Sequence, residues 1–304
     1  MSPGRRLLGL LVFASGMTNV PAADRAGAAD WLQNLTVTAA GTAYWIENAS
    51  RTSAEPFRTD AATYEFSLSA SHHQQVAPNW LLNAGLEADW QEVPEFTRAG
   101  YVNFAPRLSL QRKFGLGPLA PVLQFETALP YKGARLGLDR GWGLEASLRL
   151  AKRLTDTFKA GASVQWVEHN ARSAVFDLSQ RAFSIDASWE LAERWTLSGT
   201  AGRLSGDIVA NAAWSVWSQA ITGGLGPAVF NYYTSRPWQI TEVYGPGWVS
   251  YNVEADVDQW SLAATYAVSE RTTAEFRYAS AFVVNKIGVR YPTDSWGLSV
   301  VHRF

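Results

Sequence analysis

From about residue 31 to the last residue, apolar and polar positions alternate with a period of two, in segments of roughly ten to fourteen residues. The stretch "WLLNAGLEADW" shows the pattern: Trp80, Leu82, Ala84, Leu86, Ala88 and Trp90 share one face, while Leu81, Asn83, Gly85, Glu87 and Asp89 share the other. Ten residues of strand at about 3.3 Å each, tilted near 45°, cover about 23 Å, close to the apolar band a transmembrane strand must cross. Trp80 and Trp90 would then sit at its two aqueous borders.

The same phase repeats along the chain. One face carries Tyr64, Phe66 and Leu68, then Val102, Phe104, Leu108 and Leu110, then Trp142, Leu144, Ala146, Leu148 and Leu150. Further on come Phe158 to Trp166, Phe183 to Trp189 and Trp260 to Val268 at every second position, against faces of Ser, Thr, Gly, Glu, Arg and Gln. Short turns are predicted at "VAPNW", "GLGPLAP", "RLTDTF", "LAERW" and "VSERT". Longer polar or irregular connections fall at 48–57, 91–99, 131–139, 170–177, 205–247 and 285–293. This spacing predicts an all-β fold, a single transmembrane antiparallel up-and-down β-barrel of about twelve strands, because closure alone satisfies every backbone group in lipid. An even count with short turns at one end predicts both termini on the periplasmic side.

Composition agrees with a β protein built for lipid. Among 304 residues, 17% are charged and 13% aromatic, cysteine is absent, and the two methionines are Met1 and Met17. The formal charge of −1 removes nucleic acid as a partner, since phosphate recognition needs a basic face. The start "MSPGRRLLGLLVFASGMTNVPAADR" has a basic n-region at Arg5 and Arg6, an apolar stretch from 7 to 14 and a small-residue site at Val20-Pro21-Ala22. It predicts a cleaved export signal over 1–22, with the barrel occupying 23–304.

The tail "WGLSVVHRF" places Trp296, Leu298, Val300, His302 and Phe304 on one face, a last strand ending on an aromatic. It resembles the C-terminal signal of Gram-negative outer-membrane β-barrel proteins, with His302 standing where an apolar residue is usual. That resemblance implies an outer-membrane location and assembly by the barrel assembly machinery and periplasmic chaperones. It also implies an environment of outer-membrane lipid and lipopolysaccharide. A porin-like architecture without a cofactor suggests passive passage of small polar or amphipathic solutes; a closed structural or adhesive barrel and an outer-membrane hydrolase are the alternatives.

Inward-facing candidates are Glu65, Glu87, Asp89, Arg107, Glu126, Glu145, Arg149, Lys159, Asp186, Arg203 and Arg277, with Arg303 at the tail. They line a polar passage or close it with ion pairs. Glu145 and Arg149 share a face of one strand, and Glu87 is within reach of Arg107 on the next. The 205–247 connection is aromatic, with Trp214, Trp217, Phe230, Tyr232, Tyr233, Trp238 and Tyr244. A short helix capped by Asp207 and ending before Gly223 is expected there, with Trp214, Trp217 and Ile221 on one side. Loops this long are uncommon without a role, and this one suits a constriction, a lid or a surface cap.

Catalytic chemistry finds little purchase. A lipid-cleaving barrel needs a His base beside a Ser nucleophile, and "HHQ", "HNA" and "HRF" offer no such pair. Outer-membrane proteases of the omptin type pair acids on one strand with an Asp-x-His on another. Glu87 and Asp89 imitate the first half, but Val167 stands two residues before His169. His72 and His73, expected at a turn, lack the carboxylates or thiolates a metal would need.

Overall fold

The computed structural model of the chain describes residues 34–304. The export-signal reading of 1–22 and the strand start near residue 31 lie outside those residues. Twelve strands form one closed antiparallel barrel in up-and-down order. They are β1 (Leu35–Ile46), β2 (Ala61–Ala77), β3 (Trp80–Glu92), β4 (Tyr101–Lys113), and β5 in two pieces, Val122–Ala128 and Tyr131–Ala134. Then follow β6 (Gly141–Arg153), β7 (Phe158–Ala171), β8 (Leu178–Ala192), β9 (Trp195–Ala213), β10 (Trp248–Ala267), β11 (Thr272–Asn285) and β12 (Arg290–Arg303).

The ring closes where β1 pairs with β12, from Thr38↔Arg303 to Ile46↔Ser295. The Phe304 N–H donates to the Val37 carbonyl at 3.0 Å, so the last residue is held in the sheet rather than frayed. Closure leaves no edge to pair with another chain. Both described ends, residue 34 and Phe304, lie at the barrel end that carries the short turns 78–79, 114–121, 154–157, 193–194 and 268–271.

The outer face is the apolar one. Leu298, Leu262, Trp142, Ile185, Phe183 and Val102 each expose more than half their surface, a ring that a water-soluble sandwich would bury. The inner face carries the polar half of each alternation, and both faces of the sheet therefore obey the period-two rule.

Three elements differ from the sequence expectation. The connection expected over 131–139 starts later, because after Pro130 the strand β5 resumes over Tyr131–Ala134. The proline has no N–H to lose from the ladder, and its carbonyl still accepts from Gly143 N at 2.7 Å. β9 does not stop near 205 but runs to Ala213, paired with β10 in unbroken register as far as Ala213↔Trp248. Gly206 sits in this extension at φ +136°, where a Cβ would lie 2.1 Å from the Ser179 carbonyl oxygen, so only glycine fits. His72 and His73 lie within β2, before the turn.

The connection from β9 to β10 contains two helices, α1 (Trp214–Ile221) and α2 (Pro227–Thr234), and a short ribbon, Trp238–Ile240, paired with residues 249–251 of β10 where that strand extends past β11. Ala213, not Asp207, precedes α1; Asp207 is inside β9. Trp214 and Trp217 both pack on Trp238, and Ile221 joins the cluster of Trp217, so the three share a side, Trp217 at 1% exposure and Trp214 at its open edge.

Candidate functional site

Two features stand inside the strand ring: a polar wall at membrane level and a dry cap across the loop end. The wall follows from the alternation. On β2 to β8 the inward positions carry charge, and neighbouring strands bring opposite signs together. Arg107 on β4 pairs with Glu87 on β3 and, through Nη1 at 3.0 Å, with Glu126 on β5. Glu145 on β6 lies within electrostatic reach of the same guanidinium. Asp89 accepts from Asn103 Nδ2 at 3.2 Å, and Glu65 accepts from the Tyr44 hydroxyl at 2.6 Å.

Arg149 does not use Glu145, its neighbour on β6. It crosses β7 to reach Asp186 on β8, with Nη2 2.5 Å from Oδ2 and Nε 3.3 Å from Oδ1. The crossing passes over Gly161, where a Cβ would lie 2.8 Å from Arg149 Nη2 and 3.0 Å from Asp186 Oδ1. Lys159 lies near both partners. Arg277 pairs with Glu275 on its own strand at 2.7 Å, and Thr265 donates to the same carboxylate at 3.0 Å.

β9 and β10 place no charge on their inward faces. Leu204, Ile208, Val253 and Val257 are there instead, all at 3% exposure or less, in one cluster with Trp217, Tyr233 and Val283. These lie at the cap end; at membrane level the inward positions of β9 and β10 are polar without charge, Ser198, Thr200, Gln259 and Ser261 among them.

Arg203 departs from the expected set. It shares its face with Trp195, Leu197 and Ala201, which point outward, and its side chain is 57% exposed, paired with Asp256 at 2.9 Å and Asp258 at 3.7 Å. These charges lie on the outer face beyond Trp260, so Arg203 belongs to the external rim and not to the lumen. The remaining lumen candidates face inward.

The cap joins five of the six long connections. One apolar cluster joins Ala49 of the β1–β2 loop, Val93 and Ala99 before β4, Leu136 after β5, Val175 and Phe176 before β8, and Val243, Tyr244 and Trp248. Polar contacts tie the same segments. Tyr244 Oη donates to Ala49 O at 2.7 Å, Asn211 Nδ2 to Ser50 O at 3.0 Å, and Ser250 Oγ to Asn211 Oδ1 at 2.7 Å. Arg98 Nη1 donates to Thr241 O at 2.9 Å, and Phe96 meets Tyr244 edge-on with ring centroids 5.0 Å apart. The β3–β4 and β9–β10 connections stand on opposite sides of a twelve-strand ring, so these last contacts span the mouth.

Arg51 is carried into this cap at 5% exposure, where burial lowers its pKa from the ordinary arginine value and nearby Tyr244, Tyr291 and Tyr44 act to raise it. Burial likewise pushes the Tyr244 hydroxyl up, against the pull of Arg51. Under the β5–β6 loop, Asp139 Oδ1 accepts from Lys132 Nζ at 3.1 Å and lies 3.4 Å from His169 Nε2, with Oδ2 2.8 Å from the same ammonium. Burial pushes the Asp139 carboxyl up, but Lys132 and the His169 hydrogen bond outweigh it and hold the group below the ordinary aspartate range. His169 thus has an acid partner, supplied from thirty residues earlier. At 1% and 2% exposure the pair braces the cap and does not face a substrate.

Of the aromatic loop candidates, Trp217, Tyr233 and Trp238 form one cluster with Tyr251, on which Trp217 stacks at 4.6 Å. Tyr232 packs edge-on against Tyr233, while Trp214 and Phe230 remain exposed. Sequence reasoning missed Tyr44, Phe96, Arg98, Asn103, Asn211, Ser250 and Glu275. Only Glu275 and Asn103 had a signal, as polar residues in phase with Arg277 and Arg107.

No family model matches the chain, and no curated protein sequence matches it. Among solved structures, an outer-membrane channel from Pseudomonas putida F1 aligns over 88% of this chain and 95% of that one, with TM-score 0.55 and 8% identity. The chain has the fold of an outer-membrane β-barrel. A porin solved in complex with disordered oligogalacturonate (TM-score 0.45, 6% identity, 88% and 99% covered) aligns less closely. So does outer membrane phospholipase A from Escherichia coli (0.47, 11%, 87% and 89%), and neither bears on this chain's chemistry.

Proposed function

We propose that the chain is a passive channel of a Gram-negative outer membrane for small polar or amphipathic solutes. The observation that carries this reading is the wall: Arg107, Glu87 and Glu126 face inward at membrane level and keep 19–23% of their side-chain surface accessible to water. A filled core would desolvate them. A twelve-strand ring is also wider than the eight-strand rings whose interiors side chains can fill. Around Arg107 the acids Glu87, Asp89, Glu126 and Glu145 are in excess, while Arg149 and Arg277 are each set against an acid, Asp186 and Glu275, so cations should pass in preference to anions.

In the same reading the signal over 1–22 is removed on export and the short turns and both termini face the periplasm. Lipopolysaccharide meets the outer rim, and the barrel assembly machinery and periplasmic chaperones engage the strand through Phe304. The dry cap favours the rival reading, a closed structural barrel. Residues 213 and 248 are register partners, so an Asn-Gly turn can replace 214–247 without disturbing the strands. Single-channel recording of refolded 23–304 and of this trimmed form in planar bilayers decides between them. Currents in either form, with a cation-positive reversal potential in a KCl gradient that grows in Arg107→Ala, are the expected result. Silence of both forms would remove the channel reading.

A further inference from the structure

We propose that the outer wall at the β4–β5 turn binds an anionic phospholipid of the periplasmic leaflet, its phosphate on Arg112 and Lys113 and its acyl chains along the turn; this rests on the orientation given above, short turns toward the periplasm, and not on the lumen being open. Arg112 shares the outward face of β4 with Leu108 and Leu110, and its register partner is Trp80, which ends the apolar face of β3. An arginine on that face must carry its charge to headgroup level, and two rings hold it there. Its Cζ lies 5.2 Å from the ring centroid of Trp80 and 4.8 Å from that of Phe114. Ring faces attract the cation and leave its N–H edge open. No carboxylate pairs with Arg112 among the described residues, whereas Arg107, Arg149, Arg153 and Arg203 each have one. Beside Arg112 opens a cleft of about 370 Å³, whose wall includes Asn79, Trp80, Lys113 and Phe114 and contains two bases and no acid. The Lys113 N–H donates to Asn79 O at 2.9 Å, so the β2–β3 and β4–β5 turns hold the cleft together. A phosphodiester matches that wall, because its two oxygens accept the guanidinium fork and Lys113 adds a point charge.

The β4–β5 turn supplies the apolar half of the site. From Phe114 to Leu123 ten residues pass without one polar side chain. The other short turns, at 78–79, 154–157, 193–194 and 268–271, each carry a polar or charged residue, as turns in water do. Leu116 at the tip is 93% exposed, and Phe114 and Leu119 are open beside it. An apolar segment next to an aromatic border and two bases has the composition of an interfacial lipid anchor. A zwitterionic headgroup would bring its ammonium against the two bases, whereas an anionic one gains about fivefold in affinity per basic residue.

The chain has no cysteine, so one engineered thiol reports locally. Leu116→Cys carrying a bimane label, refolded into phosphatidylcholine vesicles with rising fractions of brominated phosphatidylglycerol, should be quenched beyond the bulk mole fraction. A label at Glu193→Cys should show no such excess. Arg112→Gln should lower the apparent affinity of the Leu116 site for phosphatidylglycerol about fivefold, Arg112→Lys should recover part of that loss, and Arg112→Gln/Lys113→Gln should return the label to the bulk line. Shifted mobility of unboiled protein on gels reports that each variant is folded. Equal quenching by brominated phosphatidylglycerol and brominated phosphatidylcholine would overturn the site, as would quenching unchanged in Arg112→Gln/Lys113→Gln. So would access of aqueous iodide to the Leu116 label, since the turn would then face water. Millimolar inorganic phosphate should leave the quenching in place; displacement by it would overturn the lipid as occupant in favour of free phosphate. Stronger displacement by lipid A than by phosphatidylglycerol would overturn the orientation and the periplasmic lipid with it. Conductance is not read in this test, so a silent barrel that still gathers phosphatidylglycerol would remove the channel and keep the site.

Discussion

Replacing Gly161 by valine tests whether the lumen ion pairs are built into the sheet. The Arg149–Asp186 pair reaches from β6 to β8 across β7, and the missing side chain at 161 is the gap it uses. An alanine Cβ, 2.8 Å from Nη2, needs the guanidinium to give a few tenths of an ångström. Valine's two methyls would occupy the crossing and part the ions. The side chains are 15% and 11% exposed, so solvent screens the pair little. Losing the charge-assisted contact should cost about 2 kcal/mol, within the range for hydrogen bonds to charged groups. A β-branched residue in place of glycine in a strand returns up to about 1 kcal/mol. The net expectation is a loss of about 1 kcal/mol in wild type, and a gain of up to about 1 kcal/mol in an Arg149→Ala/Asp186→Ala background, where nothing is left to displace. Urea unfolding of vesicle-inserted protein, followed by tryptophan fluorescence, measures both. The reversal of sign is the signature. If Gly161→Val costs the same in the two backgrounds, the glycine serves the backbone and the argument fails.

Leu298→Arg puts a charge on the lipid face between Trp296 and Phe304 and should cost about 2–4 kcal/mol if it lies near the midplane; normal refolding yield in vesicles would contradict the facing assigned to β12. Asp139 offers a test by pH. Its carboxyl is held below the ordinary aspartate value, so its stabilisation is complete above about pH 3.9 and is lost as pH falls through the lower folded value. Protease resistance of the loops should therefore hold steady from neutral pH and fall below about pH 4. Asp139→Asn should lower resistance at neutral pH and flatten the acid limb; an unchanged acid limb would show that another carboxylate controls it.

Much of this fold was legible because the sheet has two unlike sides. Wherever lipid lies on one face and water on the other, a strand must alternate, and β3, β6, β7 and β12 could be phased from their tryptophans and leucines alone. The signal failed where that contrast disappears. Beyond Leu204 both faces of β9 are covered, by α1 and α2 on one side and by the loops on the other. "DIVANAA" accordingly reads as an irregular apolar run although it is strand. Arg203 failed for a related reason. Past Trp260 the outer face meets water instead of lipid, so polarity no longer marks the inside, whereas phase counted from Trp195 and Leu197 puts the residue outside.

The wall and the cap differ in how far apart their partners are in sequence, and that difference governs what could be foreseen. Lumen pairs join adjacent strands whose register the turns fix, so Glu87 with Arg107 follows from phase and turn length. Arg149 with Asp186 needed one fact more, that residue 161 has no side chain to block the way. The cap obeys no register. Arg98 meets Thr241, and Asn211 meets Ser50, across separations of 143 and 161 residues, and only the curvature of a closed ring brings those loops together. Closure is therefore the step that converts a series of hairpins into a vessel with a mouth. The contacts across the mouth are set by the ring as a whole, and the polar residues that make them, Asn211 and Ser250 among them, sit in a segment whose sequence looks like loop.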